Sequence, residues 1–216
     1  MRLLKLLLPM LFISSGEILP AQAQESADDL FMRMVGTVST SAVPYRSEGK
    51  LDGCTLVFNL LVRDTAYDLG AYLKVAGTTG VFLNGKGAVG TLKLSVEKLS
   101  FSLKSGMVSE PRRPSRAYLI LSDFSTTLEA GAETLKATDP ANLLVGFSGM
   151  KAVEVGTEIV RTKKIQLGFN QADGKNDIIV PIEFDIVTKN LEGGIQRSDA
   201  AVNSYSDCLA ALSDRL

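Results

Sequence analysis

The chain has 216 residues, with 23 Lys+Arg against 24 Asp+Glu for a net charge of −1, and it contains no histidine and no tryptophan. The mildly acidic balance argues against a nucleic-acid partner, which requires a basic footprint, and against an anionic membrane surface. Without imidazole there is no Ser-His-Asp triad, Cys-His dyad, His-ligated zinc or histidine general base, and without indole, and with only 5 tyrosines, there is little from which to build a broad aromatic platform.

Met1-Arg2-Leu3-Leu4-Lys5 opens the chain with two cations, an apolar run follows from Leu6 to Ile13, and Ala21-Gln22-Ala23 places small residues around a polar one. Those are the three parts of a secretory leader, expected over 1–23 with cleavage after Ala23. The apolar run is shorter than the about 20 residues a membrane span needs, and Pro9 interrupts it. No later stretch reads as a transmembrane segment, so the expected product is one β-rich domain over 24–216 in an oxidising, periplasmic or extracellular setting.

Ser26 to Met34 predicts a short helix, with Ser26 as its N-cap and Asp28 and Asp29 in its first turn. Residues 39–53, with Pro44, Gly49 and Gly53, predict a loop with at most a brief strand. Leu56, Phe58, Leu60 and Val62 then alternate with less apolar neighbours as a strand, and Tyr72 to Leu83 predicts one or two strands broken near Gly77 and Gly80.

From Thr91 to Lys104 two patterns compete. As a strand, Leu92, Leu94 and Val96 share one parity while Leu99, Phe101 and Leu103 take the other, which predicts a β-bulge or a strand that switches sheets. As a helix, Leu92, Val96, Leu99 and Leu103 form one stripe. Serines at 95, 100 and 102 suit a pleated surface better than a helix interior and favour the strand.

Ser105 to Ser115 predicts the longest loop, and Tyr118–Leu121 and Leu143–Phe147 predict buried strands. Val153, Val155, Ile159, Ile165, Leu167 and Phe169 keep one parity, predicting one long strand or two in phase. Asp173-Gly174 marks a turn before the alternating Ile178, Val180, Ile182, Phe184 and Ile186, with Pro181 on the outward parity of an edge strand or bulge. Beyond Ser198 or Asp199 as cap, Val202, Tyr205, Leu209, Leu212 and Leu216 recur at helical spacing over about 198–215. The fold class expected is therefore mainly β, an antiparallel sandwich or open barrel of about eight strands with a C-terminal α-helix packed on it.

The 2 cysteines, Cys54 and Cys208, form a disulfide in an oxidising compartment, since no other partner exists within the chain. Such a bridge ties the first clear strand to the C-terminal helix, and nothing in the spacing resembles a redox C-x-x-C pair.

Several motifs carry chemistry elsewhere. Gly85-Lys86-Gly87-Ala88-Val89-Gly90 fits G-x-G-x-x-G, which holds a pyrophosphate only where a helix starts at its end; an Asn84-Gly85 turn in a glycine-rich hairpin explains it without a nucleotide. Ser-x-x-Lys occurs at Ser47/Lys50 and Ser95/Lys98, but Ser122-Asp123-Phe124 lacks the companion Asn and no K-T-G follows. On a strand, Ser95 and Lys98 would point to opposite faces. Asn170, Asp173, Asn176 and Asp177 crowd one turn with oxygens, at spacings unlike an EF-hand loop. The carboxylate pairs Asp64/Asp68, Glu154/Glu158 and Glu183/Asp185 read as solvated faces, and Arg112 to Arg116 as a small cationic loop.

No convergent polar constellation emerges, so no catalytic residue, cofactor or metal site is assigned. The expected function is that of a non-catalytic, exported binding or envelope-associated domain whose partner is another protein or a small apolar ligand. The alternative is a His-independent secreted enzyme using carboxylates or a Ser/Lys pair.

Overall fold

A two-residue turn starts the sheet. In the computed structural model, which describes residues 26–215 except 86, 103–105, 149 and 173, Glu48 (φ 50°) and Gly49 (φ 79°) both adopt the left-handed backbone that a tight β-hairpin requires. They join β1 (Gly36–Ser47) to β2 (Lys50–Arg63) in a long antiparallel pair. The loop expected over 39–53 is therefore strand. Pro44 had argued against it, but β1 forms an edge of its sheet, where a missing N–H breaks no second ladder. The expected leader over 1–23, together with Leu103, Asp173 and Leu216, lies outside the described residues.

The main sheet continues with β3 (Tyr72–Leu83), β4 (Ala88–Ser102), β5 (Gly106–Pro111), β7 (Glu133–Leu135) and β8 (Leu143–Ser148). Its order is β1-β2-β3-β4-β8-β7, with β5 paired to the far half of β4. Where a loop was expected over 105–115, β5 returns along β4 as a hairpin arm. A three-stranded sheet, β10 (Ile178–Glu183), β9 (Lys164–Phe169) and β6 (Ala117–Ile120), and a small pair, β11 (Ile186–Lys189) with β12 (Ile195–Arg197), complete the strands; every ladder is antiparallel. The architecture is mainly β, as expected, and not a closed barrel. Pro181 faces outward on β10, an edge strand.

β3 runs unbroken through both of its glycines: Gly80 stands opposite Thr55, against the Cys54 backbone, and Gly77 is paired with a ring. Gly77 stands opposite Phe58 on β2, and a Cβ there would lie 2.2 Å from the ring. The same cross-strand arrangement joins Gly53 to Phe82, Gly90 to Phe147 and Gly168 to Tyr118. The aromatic covers the backbone that glycine leaves bare, which offsets glycine's poor strand propensity.

β4 is a strand, and its parity change needs no bulge, since its register with β3 is continuous. Leu92, Leu94 and Val96 join the main core on one face. Leu99 points to the opposite face, where α1 (Ala27–Met34) covers it: Leu99, Leu61 and Tyr72 pack there with Phe31, Met34, Val35 and Val38. Helix α1 is capped as expected, with the Ser26 hydroxyl accepting from the Asp29 N–H at 3.2 Å, and the Tyr72 hydroxyl donates to the Asp28 carboxylate at 2.7 Å.

The main core lies between the other face of this sheet, the three-stranded sheet and two helices, α2 (Met150–Thr162) and α3 (Ala200–Ser213). α2 replaces the strand expected through Val153, Val155 and Ile159. Residues four apart share a face in both periods, so Val155 and Ile159 could not discriminate; Ala152 and Gly156, buried beside them, complete a helical stripe, and Val153 is exposed. Lys163, at φ 57°, ends α2 and turns the chain into β9. Among the described residues, no helix is long and apolar enough to cross a membrane.

Candidate ligand groove between α2 and α3

The two helices approach closely because α2 carries Gly156 at the contact. A Cβ on Gly156 would lie 3.0 Å from Leu209 Cδ1 and 3.5 Å from the Tyr205 hydroxyl oxygen, both on α3. Opposite this contact α3 is bonded to the sheet: Cys208 and Cys54 of β2 form the disulfide, with Cα atoms 5.8 Å apart. Cys54 is fully buried and faces the core, so the bridge joins the expected strand to the expected helix. The hydroxyl of Ser198 accepts from the Ala200 N–H at 3.2 Å, whereas Asp199, the other predicted cap, makes no side-chain cap bond and is held by Lys163.

Beside the Gly156 contact a groove of about 440 Å³ lies between the helices, over the ends of β3 and β4. Val81, Leu83 and Ala88 form its floor, Val153 and Val160 one wall, Leu209 and Leu212 the other. Its polar lining consists of the hydroxyls of Thr157, Ser206 and Ser213 and one charged residue, Arg161. That size and character fit sites for small molecules, which run from about 300 to 1,000 Å³ and are mostly apolar.

The one cation is already engaged. The Arg161 guanidinium donates to Glu158 Oε2, with Nε at 3.2 Å, and Ser122 donates to Glu158 Oε1 at 2.6 Å. These bonds, Ser122's first and then Arg161's, hold the Glu158 carboxyl below the usual carboxylate range. It stays ionised and is a poor proton acceptor.

Beside Gly156 the Tyr205 hydroxyl has no hydrogen-bond partner among the described residues, although Tyr205 is only 1 % exposed. Burial pushes its titration well above the ordinary tyrosine value, so it remains a neutral donor. Thr79, fully buried on the core face of β3, also has an unpartnered hydroxyl.

The motifs singled out from the sequence do not converge here. The described part of G-x-G-x-x-G is the β3–β4 hairpin, with Gly85 and Gly87 at φ 74° and 131° and the Asn84 N–H donating to Gly87 O; Lys86 lies outside the described residues. No helix follows it. Ser47 and Lys50 are cross-strand partners flanking the β1–β2 turn. Ser95 and Lys98 fall on opposite faces of β4, where Lys98 pairs with Asp68.

The carboxylate pairs, by contrast, stay near one another in the fold. Glu154 and Glu158 sit on successive turns of α2, while Glu183 and Asp185 are both bonded by Arg197, at 3.0 and 2.7 Å. Asp64 is 1 % exposed and accepts the N–H groups of Ala66, Tyr67 and Asp68 and the Gln171 amide at 2.6–3.0 Å. Burial alone would raise its titration, but these bonds together outweigh burial and lower it.

At the β9–β10 turn, Asn170 Oδ1 accepts from the Ser115 and Arg116 N–H groups, and Asp177 accepts from Tyr118 at 2.9 Å and from Arg116 at 2.7 Å. Burial first, then the bond to Asp177, pushes Tyr118 up to about 12. Asn170 and Asp177, two of the oxygen-bearing residues crowded at this turn, thus hold it together, with Asp173 outside the described residues. Of the cationic loop, Arg112 pairs with Glu110 at 3.0 Å and Arg116 with Asp177, leaving Arg113 at the surface.

Comparison of the chain with known protein families, curated proteins and solved structures finds no match. What the arrangement offers chemically is an apolar trough rimmed by hydroxyls. Sequence reasoning missed it because one wall is the helix that was read as a strand.

Proposed function

We propose that the protein is exported to the periplasm or beyond and acts as a non-catalytic binding domain that holds a small apolar ligand between α2 and α3. The observation that carries this reading is the groove itself, lined by eight apolar side chains and a single charged one. Two further features support it. The Cys54–Cys208 bridge suits an oxidising compartment and fixes the α3 wall. Five of the six candidate carboxylates are engaged in hydrogen bonds and ion pairs, Asp64 in a buried loop, Asp68 with Lys98, Glu158 with Ser122 and Arg161, Glu183 and Asp185 with Arg197.

Native mass spectrometry of protein purified gently from its own compartment tests the reading in one measurement. The expected species lacks the leader, carries an intact disulfide and holds an apolar adduct that is lost from a Val160→Asp variant of unchanged circular dichroism. A species that still begins at Met1 would refute export. A turnover activity abolished by one substitution without unfolding would refute the non-catalytic assignment.

A further inference from the structure

The groove's chemistry narrows what it takes. We propose that the ligand is an uncharged single-chain lipid, an acyl ester or its like, whose carbonyl oxygen accepts a hydrogen bond from the Tyr205 hydroxyl at the groove's base. This rests on the groove being the binding site.

Three observations converge on it. First, the Tyr205 hydroxyl is a buried donor with no partner among the described residues, and an unmade buried hydrogen bond is costly enough to call for an explanation. Second, it adjoins the groove. The position a Gly156 Cβ would occupy is 3.5 Å from the Tyr205 oxygen, 3.0 Å from Leu209 Cδ1 and 3.9 Å from Val81 Cγ2, and both of those carbons belong to groove-lining residues. Leu209 is half-buried and lines the groove, and a ligand that reaches the hydroxyl displaces its side chain to another rotamer. Had residue 156 carried a side chain, that space would be filled.

Third, the groove's electrostatics select against a charged head. Arg161 is its one charged residue, and Glu158 already occupies the guanidinium. A carboxylate carried to Tyr205 would be buried with one neutral donor and no countercharge, at high desolvation cost. A plain alkane would fill the trough but leave the hydroxyl unpaired. A neutral carbonyl satisfies the donor and brings no charge.

The test is displacement of a fluorescent apolar probe, 1-aminoanthracene, from the purified disulfide-bonded protein by decane, methyl decanoate and decanoate at neutral pH. The expected order places methyl decanoate first, tighter than decane by about three- to tenfold, the worth of one net hydrogen bond, with decanoate weakest. Tyr205→Phe removes only the oxygen; it is expected to bind decane as before and to lose the ester's advantage. Equal affinity of the wild type for ester and alkane, or an ester preference that survives in Tyr205→Phe, overturns the assignment while leaving the groove as a binding site. Failure of all three compounds to displace the probe, or of the probe to bind, overturns the groove reading as well.

Discussion

The centre of the main sheet and the α2–α3 layer are both built around glycines, but the glycines do opposite things. In the sheet, Gly53, Gly77 and Gly90 each lie directly under the ring of a cross-strand partner, and a Cβ would come within 2.0 to 2.4 Å of it. The missing side chain is filled by a neighbour's aromatic, so the sheet is close-packed. In the helical layer, Gly156 brings two helices together at one point while a groove remains beside them and a buried hydroxyl beneath. Close packing makes the sheet rigid, and incomplete packing leaves an open groove between the helices.

The covalent link between the two regions gives the largest expected effect. Replacing both cysteines, as Cys54→Ala with Cys208→Ala, opens a closure spanning 154 positions, and by chain entropy should lower stability by up to about 5 kcal/mol in urea unfolding. Amide exchange should then rise first in α3 and last in β2–β3–β4. Uniform exchange throughout would mean that sheet and helices do not differ in stability.

Glycine substitution compares the regions directly. Gly77→Ala drives a methyl into Phe58 and should cost about 3 kcal/mol, the upper part of the range for overpacking. Gly156→Ala presses only on the movable end of Leu209 and gains helix propensity, so it should change stability by less than about 1 kcal/mol. Equal costs would show that the helical layer is packed as tightly as the sheet.

Asp64, where β2 leaves the sheet, supplies a pH-dependent probe. Its titration is lowered from about 3.8 on folding. Its stabilising contribution is therefore present above that unfolded value and disappears as pH falls through the lower folded one. Urea midpoints of the wild type should drop in this acid window, while those of Asp64→Asn, lower by about 1–2 kcal/mol at neutral pH, should lack that part of the pH dependence. The smallest effect belongs to neither region. Arg197→Ala, in the half-exposed network with Glu183 and Asp185, should cost less than about 1 kcal/mol by thermal unfolding.

The parts legible from sequence were those in which one physical signal acted alone. Ser26 with two following acids gave α1; Leu56 to Val62 gave the core of β2; Ile178, Val180 and Ile182 gave β10; and the spacing of Val202, Tyr205 and Leu212 gave α3, with the disulfide following from compartment and count. The misread parts carried two signals at once. Pro44 and Gly49 read as loop because an edge strand tolerates the first and a tight hairpin demands the second. Val155 and Ile159 fit strand and helix equally, and Ala152 with Gly156, both small, were the quiet evidence for the helix. Leu99 broke the parity of β4 because a second, smaller core lies on the outer face under α1. The groove was illegible for a related reason: it requires α2 and α3 to be set side by side, and half of that pair was missing.

The ring-over-glycine pairs carry a consequence for how this chain can diverge. Position 77 can accept a methyl group only if position 58 first becomes smaller, and 90 with 147 and 168 with 118 are bound by the same condition. Single steps at either member would be purged and double steps tolerated, so homologues should keep a small residue facing a large one at these registers even where little else is shared.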